Sequence, residues 1–373
     1  MKILICMSHV IPWPRPTAAM LQSLGHEVHV FDFADDLPKA YLTSKIPGVV
    51  SDFDLFRSQV AGIHLAAPPA KGNLRYVLHA REFKRLTNSL GIDLVLTLYG
   101  GGFALMTYLS GFRPYSVFVV GSDVLLANRL TRLINRRTMT CASEVFANGE
   151  YLAARAREQA PQARIRPLLI GVDTSRFHQA TPPSGPVRFI CTRGNQETYN
   201  NGSIVRALSR LPEDVPDFHL VFTSGGSLLS QTVALAQRLL TPPMRRRVEF
   251  WGGVSHARIL EGLHGSHSFI SMSRSDGTSS SLLEALACGL YPILSDIPQN
   301  REWICPDKAN GILVPLDDDD ALAGALLSVL RNPGRCAGAS EFNRAQVRER
   351  GDADRKSREL ARALECIVTG PEQ

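Results

Sequence analysis

The 373 residues exceed what a single hydrophobic core usually grows to, so two domains are expected; 44% apolar and 20% charged residues exclude a disordered chain. The cysteines (Cys6, Cys141, Cys191, Cys288, Cys305, Cys336 and Cys366) stand singly, without a Cys-x-x-Cys pair. That excludes a disulfide framework or zinc site and fits a reducing, cytoplasmic compartment. A net charge of +6 suits an anionic partner such as a diphosphate, an acidic glycan or an anionic membrane surface, while no zinc-finger, RNP or basic-zipper pattern points to nucleic acid.

In chain order, the opening segment reads as a first strand rather than a leader, because its apolar run reaches Pro12 quickly and no A-x-A-like site follows. Buried strands are expected at 3–7, 28–33, 94–98, 117–120 and 144–147, with helices at 17–24, 76–90, 124–135 and 151–159 between them. Runs that are apolar at every position suit a parallel sheet covered on both faces. The Pro/Gly/Ser cluster at 181–186 reads as a linker, after which the alternation restarts. Strands follow at 188–191, 219–223, 248–251, 268–271, 291–294 and 311–314, with helices at 202–211, 228–240, 257–264 and 281–288. Residues 341–367 are strongly helical and charged. The expected fold class is α/β, two doubly wound parallel sheets with ligands beyond the strand C-termini. No apolar run reaches the eighteen residues of a membrane span.

The run Ser273-Arg274-Ser275-Asp276-Gly277-Thr278-Ser279-Ser280-Ser281-Leu282-Leu283-Glu284 follows a strand, turns at a glycine and opens a helix rich in hydroxyls and free N–H groups. Such a helix start favours phosphate. Two readings of its carboxylates stand side by side. Asp276 and Glu284 line one crevice, or Asp276-Gly277 is a tight turn and Ser281 to Glu284 a capping box.

The run resembles the signature of the family 4 (group 1) glycosyltransferases, in which an acid and a glycine lead to Leu-Leu-Glu, Ala-x-Ala-x-Gly and a strand. The matching residues are Asp276, Gly277, Leu282, Leu283, Glu284, Ala285, Ala287 and Gly289, followed by Asn310-Gly311. Gly121-Ser122-Asp123 resembles a loop of the family's N-terminal domain, Gly171-Val172-Asp173 with Arg176-Phe177 its exit into the linker, and Phe250, Gly252 and Val254 the turn at the nucleotide base. Cys191-Thr192-Arg193 stands where the family keeps its diphosphate arginine. The resemblance implies the GT-B architecture, two Rossmann-like domains facing across a cleft. It places an acceptor domain at 1–180, a nucleotide-sugar domain at 181–341, and a C-terminal helix at 342–373 crossing back.

It also implies the roles. Asp276 and Arg193 are the catalytic candidates. Arg193, Val254, Asp276, Gly277, Thr278, Ser279 and Glu284 hold the donor, with Glu284 on the ribose. His9, Ser122 and Asp123 lie on the acceptor side. The implied activity is retaining transfer from a UDP- or GDP-sugar to a glycan, lipid-linked or small-molecule hydroxyl, without metal or other cofactor. A 2-epimerase-like enzyme and a catalytically silent scaffold are the alternatives.

The chain departs from the pattern at three places. Tyr199-Asn200-Asn201-Gly202 replaces the usual lysine-glycine, a proline-rich turn (Pro12, Pro14, Pro16) replaces the first loop's paired glycines, and Val120 stands where many members have histidine. A subset of similar transferases carries Thr-Arg followed by Tyr-Asn at this spacing. Asp317 to Asp320 read as acid at a helix start rather than a metal motif. Arg129, Arg132, Arg136 and Arg137 are expected opposite Leu130, Leu133 and Ile134, as a basic stripe on a solvated face or against an anionic membrane. Residues 38–80 are expected to shape the acceptor side.

Overall fold

A computed structural model describes residues 1–8, 15–34, 55–179 and 184–370. His9, the prolines at 12 and 14, the first half of the 181–186 linker and residues 38–54 of the 38–80 stretch lie outside the described residues. The chain forms two compact units, 1–170 with 353–373, and 171–352.

In the first unit seven strands, β1 (Lys2–Cys6), β2 (Glu27–Phe33), β3 (Gly62–Ala66), β4 (Leu94–Leu98), β5 (Tyr115–Val119), β6 (Glu144–Ala147) and β7 (Ile165–Pro167), lie in the order β3-β2-β1-β4-β5-β6-β7. All pairings are parallel, with Ile3 beside Leu94 and Ile5 beside Leu96. Side chains alternate along a strand. Leu4 and Cys6 therefore face one layer, with Phe83, Met106 and Met139, while Ile3 and Ile5 face the other, with Leu21 and Leu364. Burial on both faces explains why β4, β5 and β6 are buried at every position.

The second unit holds β8 (Val187–Cys191), β9 (Phe218–Phe222), β10 (Val248–Phe250), β11 (Ser268–Ser271), β12 (Tyr291–Ser295) and β13 (Ile312–Val314), in the order β10-β9-β8-β11-β12-β13. Each unit thus places its first strand centrally and builds outward to one side, then the other. This is the doubly wound Rossmann order, whose switch point lies between β1 and β4 in one unit and β8 and β11 in the other. The two parallel-sheet units together make the GT-B fold.

Several expected elements differ. The stretch 124–135 is not one helix. A single turn, Ser122–Leu125, is followed by the helix Arg129–Thr140, because Asn128 turns to extended backbone and its side chain accepts the Thr131 N–H. Strands β3 and β7 and the helix Gly102–Leu109 were not expected. The C-terminal helical segment breaks at Gly351 into Gly334–Arg350 and Ala353–Thr369. The second piece leaves its neighbours and buries Leu360 and Leu364 against the first unit's sheet. At the other end of the second unit, Val172 bridges to Asp352, so that unit's two ends lie side by side.

The aspartate run opens the helix Asp319–Arg331, where Asp318 accepts the Ala321 N–H at 2.8 Å. Asp319 turns inward and accepts Ser203 Oγ and Arg206 Nε, each at 2.6 Å. Burial opposes its ionisation, but these hydrogen bonds and the Arg206 and Arg210 charges outweigh it and hold the carboxyl below the ordinary aspartate range. A depressed carboxylate stabilises the fold above its unfolded pKa and loses that contribution as pH falls through the folded value. Asp319→Asn should lower unfolding free energy by about 1–3 kcal/mol at neutral pH. In urea titrations the gap from wild type should narrow as pH falls below the ordinary aspartate range of about 4, where the unfolded carboxylate takes up its proton first, and close once the native carboxylate is protonated too.

Candidate functional site

The second unit's switch point gathers the residues singled out at 273–289. β8 and β11 are neighbours, with Phe189 beside Ser268, so the loops leaving their C-terminal ends meet. Arg193 comes from the first loop and Asp276 from the second. Arg193 Nη2 donates to Asp276 Oδ2 at 2.5 Å and Nη1 to Ser279 Oγ at 2.6 Å. Its guanidinium carbon lies 4.1 Å from the centre of the Tyr199 ring, a stacked cation–π contact. Tyr199, in the run where the resemblance leads one to expect a lysine followed by glycine, thus stacks on the arginine.

The Arg193 side chain is only 8% exposed, so its position depends on partners rather than on solvent. Burial pushes the Asp276 carboxyl up, and the Arg193 charge, the Gly277 N–H and the Ser279 hydroxyl oppose that shift.

The surrounding loops are tied together by backbone groups. Arg274 N–H donates to Thr198 O at 2.8 Å, Asn195 Nδ2 to Ser224 O at 2.7 Å, and Asn201 Nδ2 to Arg193 O at 3.2 Å. Gly226 has φ +142°, and a Cβ there would stand 2.4 Å from Asn195 O, so glycine is required for the loops to approach.

The helix Ser280–Ala287 starts one residue earlier than the sequence pattern suggests. Ser279, not Ser281, is the N-cap, its hydroxyl accepting Leu282 N–H at 3.3 Å. That overturns the capping-box reading of Glu284, which lies beyond the first turn. Glu284 Oε1 instead sits 3.0 Å from His256 Nε2, and the His256 ring packs 5.3 Å from Phe177. Gly277, Thr278 and Ser279 are buried in the turn, and Val254 is half-buried just before the Ser255 cap of the helix His256–His264.

In the first unit, Asp123 is buried and accepts N–H groups from Gly100 at 2.7 Å, Gly121 at 2.8 Å and Val120 at 3.2 Å. Burial pushes its carboxyl up while these donors oppose it. Its oxygens hold the loops after β4 and β5 together. Ser122 is exposed and its hydroxyl meets that of Tyr99. Tyr99 has φ +88°, a strained conformation for a non-glycine residue beside the first unit's switch point. His9 lies outside the described residues.

Sequence reasoning missed Tyr99 and His256. The signals were a glycine triplet directly after a strand, Gly100 to Gly102, and a histidine at a helix start two positions after Val254. The arginine stripe also needs correction. Leu130 and Leu133 are 66% and 65% exposed and share the solvent face with the arginines, because Asn135, Thr138 and Met139 form the helix's buried side.

Residues 175–346 match the family model described as glycosyl transferases group 1, and residues 15–171 match the glycosyl transferase 4-like domain. No protein of curated function matches by sequence. Among solved structures, sucrose-phosphate synthase from Thermosynechococcus elongatus superposes with TM-score 0.81 at 16% identity, covering 100% of both chains. HepE from Anabaena, solved with UDP and glucose, gives 0.78 at 14% identity over 98% of this chain and 99% of that one. A glycosyltransferase from Rickettsia africae gives 0.78 at 16% identity over 99% of each chain. At these identities the likeness establishes the fold.

Removing one member of the buried pair should be costly to the fold itself. Arg193→Met should lose about 1–3 kcal/mol, and adding Asp276→Asn should recover part of that, since a neutral amide needs no counter-charge. A double-mutant cycle by urea denaturation reads the coupling.

Proposed function

Taking as premise that the chain belongs to the group 1 glycosyl transferases, whose two matched models between them span nearly its whole length, we propose a retaining transferase. It moves a sugar from a UDP- or GDP-sugar to an acceptor hydroxyl on a glycan, lipid-linked or small molecule, without metal. The observation that carries this reading is the Arg193 guanidinium at the switch point, held by Asp276, Ser279 and the Tyr199 ring. A planar guanidinium suits a diphosphate, and positive charge there neutralises the leaving group as the glycosidic bond breaks. HepE, a neighbour in fold, was solved with UDP-glucose, which supports the UDP donor class.

Each residue then has a task. The donor's diphosphate takes Arg193 from Asp276, and the freed carboxylate turns to the sugar hydroxyls. The backbone of Gly277, Thr278 and Ser279 meets the sugar and diphosphate, Glu284 holds the ribose hydroxyls, and the Val254 segment meets the base. The acceptor oxygen attacks the anomeric carbon from the face the diphosphate leaves. The bond to the phosphate oxygen breaks with its electron pair, and a phosphate oxygen takes the hydroxyl proton. Glu284, committed to ribose, is not a nucleophile. Ser122 and the Asp123-braced loop belong to the acceptor side. The place of action is the cytoplasm, with peripheral attachment to an anionic membrane surface.

UDP-glucose and GDP-sugars should be screened by thermal shift, where saturation at about 100 times Kd adds about 2.7 kcal/mol to the folded state. Arg193→Glu should weaken the binding donor by about 100-fold and Glu284→Gln by about tenfold, as charge-assisted hydrogen bonds are lost. NMR of the product should show retained anomeric configuration, with turnover unchanged by EDTA. An inverted product contradicts the mechanism; donor binding with no transfer to any acceptor supports a silent subunit instead.

A further inference from the structure

The helix Arg129–Thr140 presents a surface that the donor site does not use. Leu130 and Leu133 are 66% and 65% exposed and lie one turn apart on this helix, Leu126 (58%) is exposed in the turn before it, and Arg129, Arg132 and Arg136 are exposed along the same helix. Between Val124 and Thr140 there is no acidic residue. Arg132 and Arg137 donate to Ala127 O and the Tyr108 hydroxyl, and no ion pair joins Arg129 or Arg136 among the described residues. The apolar exposure continues over the same helical layer. The helix Gly102–Leu109 packs against Arg129–Thr140 and against Leu74–Leu78, and Leu109, Leu74 and Leu78 are 45%, 56% and 53% exposed.

Scattered exposed leucines need no explanation, but exposed leucines interleaved with arginines along one helix, with more exposed leucines on the helices packed beside it, do. Leucines interleaved with arginines on one helix face have the composition of an interfacial membrane segment, apolar groups entering the acyl boundary and guanidinium groups meeting phosphate. A second copy of the chain fits less well, because a self-complementary contact would set four unneutralised arginines against four.

We infer that the outward face of the Arg129–Thr140 helix, with Leu126 and the neighbouring Leu74, Leu78 and Leu109, docks this chain on an anionic phospholipid bilayer. This assigns a surface to the peripheral location proposed above. Two helices of this layer, Gly102–Leu109 and the Ser122–Leu125 turn that leads into Arg129–Thr140, start from the loops after β4 and β5 that carry Tyr99 and Ser122, so docking sets that loop edge close to the headgroups. Among the proposed acceptors this favours a lipid-linked one. That choice rests on the transferase reading; the docking does not.

The test is flotation of the full chain with vesicles of phosphatidylcholine alone or with about one quarter phosphatidylglycerol. Wild type should float with the anionic vesicles and release as salt rises. R129Q/R136Q should lower partitioning by about 25-fold, roughly fivefold for each arginine, and L130S/L133S should lower it further at high salt, where insertion is what remains. Both variants change exposed side chains, so their melting temperatures and donor-induced thermal shifts should match wild type. Equal flotation on neutral and anionic vesicles, variants that float like wild type, or a dimer in sedimentation that L130S/L133S dissolves would each overturn the inference. Loss of donor binding with flotation intact sinks the transferase reading and leaves the docking surface standing.

Discussion

A buried guanidinium paired with a carboxylate ties together the loops after β8 and β11 in the second unit. Arg193 is nearly excluded from water, and an uncompensated charge in that position is costly. The loops after β8 and β11 therefore meet at Asp276 and Ser279, and Tyr199 closes the remaining face of the guanidinium. The surrounding loops are tied by hydrogen bonds to backbone carbonyls, from the Asn195 amide to Ser224, the Asn201 amide to Arg193 and the Arg274 N–H to Thr198. Without that carboxylate the guanidinium would stand buried and unpaired, which is costly.

The two units solve the same topological problem with different side chains. In each, the central strand is flanked by strands that wind in opposite directions, which leaves a crevice at the C-terminal edge. In the second unit a cation occupies that edge. In the first, Asp123 gathers three backbone N–H groups and Tyr99 is held at positive φ beside Ser122. A carboxylate spent on its own backbone shapes a loop, and the exposed hydroxyl of Ser122 is what that loop presents.

Much of this was legible in the sequence because parallel strands buried on both faces read as apolar runs, as in residues 3–7 and 117–120. The strand-turn-helix run from Ser273 to Gly289 was legible for the same reason, with the hydroxyls and glycine marking its turn. β3 and β7 were not, since one is a half-exposed edge strand and the other has three residues. The cap at Ser279 was hidden among three consecutive serines, any of which satisfies the pattern, and only the chain path selects among them. His256 could not be paired with Glu284 from a separation of 28 residues. The leucines of the Arg129–Thr140 helix misled because leucine at helical spacing ordinarily faces a core, whereas here Asn135, Thr138 and Met139 do. The aspartate run was legible as a helix start, but not the inward turn of Asp319 onto Ser203 and Arg206.

The central claim is that Asp276 keeps the place of a diphosphate on Arg193. A crystal structure of the chain with UDP tests it most directly. The account predicts the β-phosphate oxygens within hydrogen-bond distance of the Arg193 guanidinium, and the Asp276 carboxylate displaced from it by more than 4 Å, roughly the limit of an ion pair. UDP bound elsewhere, with the Arg193 to Asp276 contact intact, would contradict it.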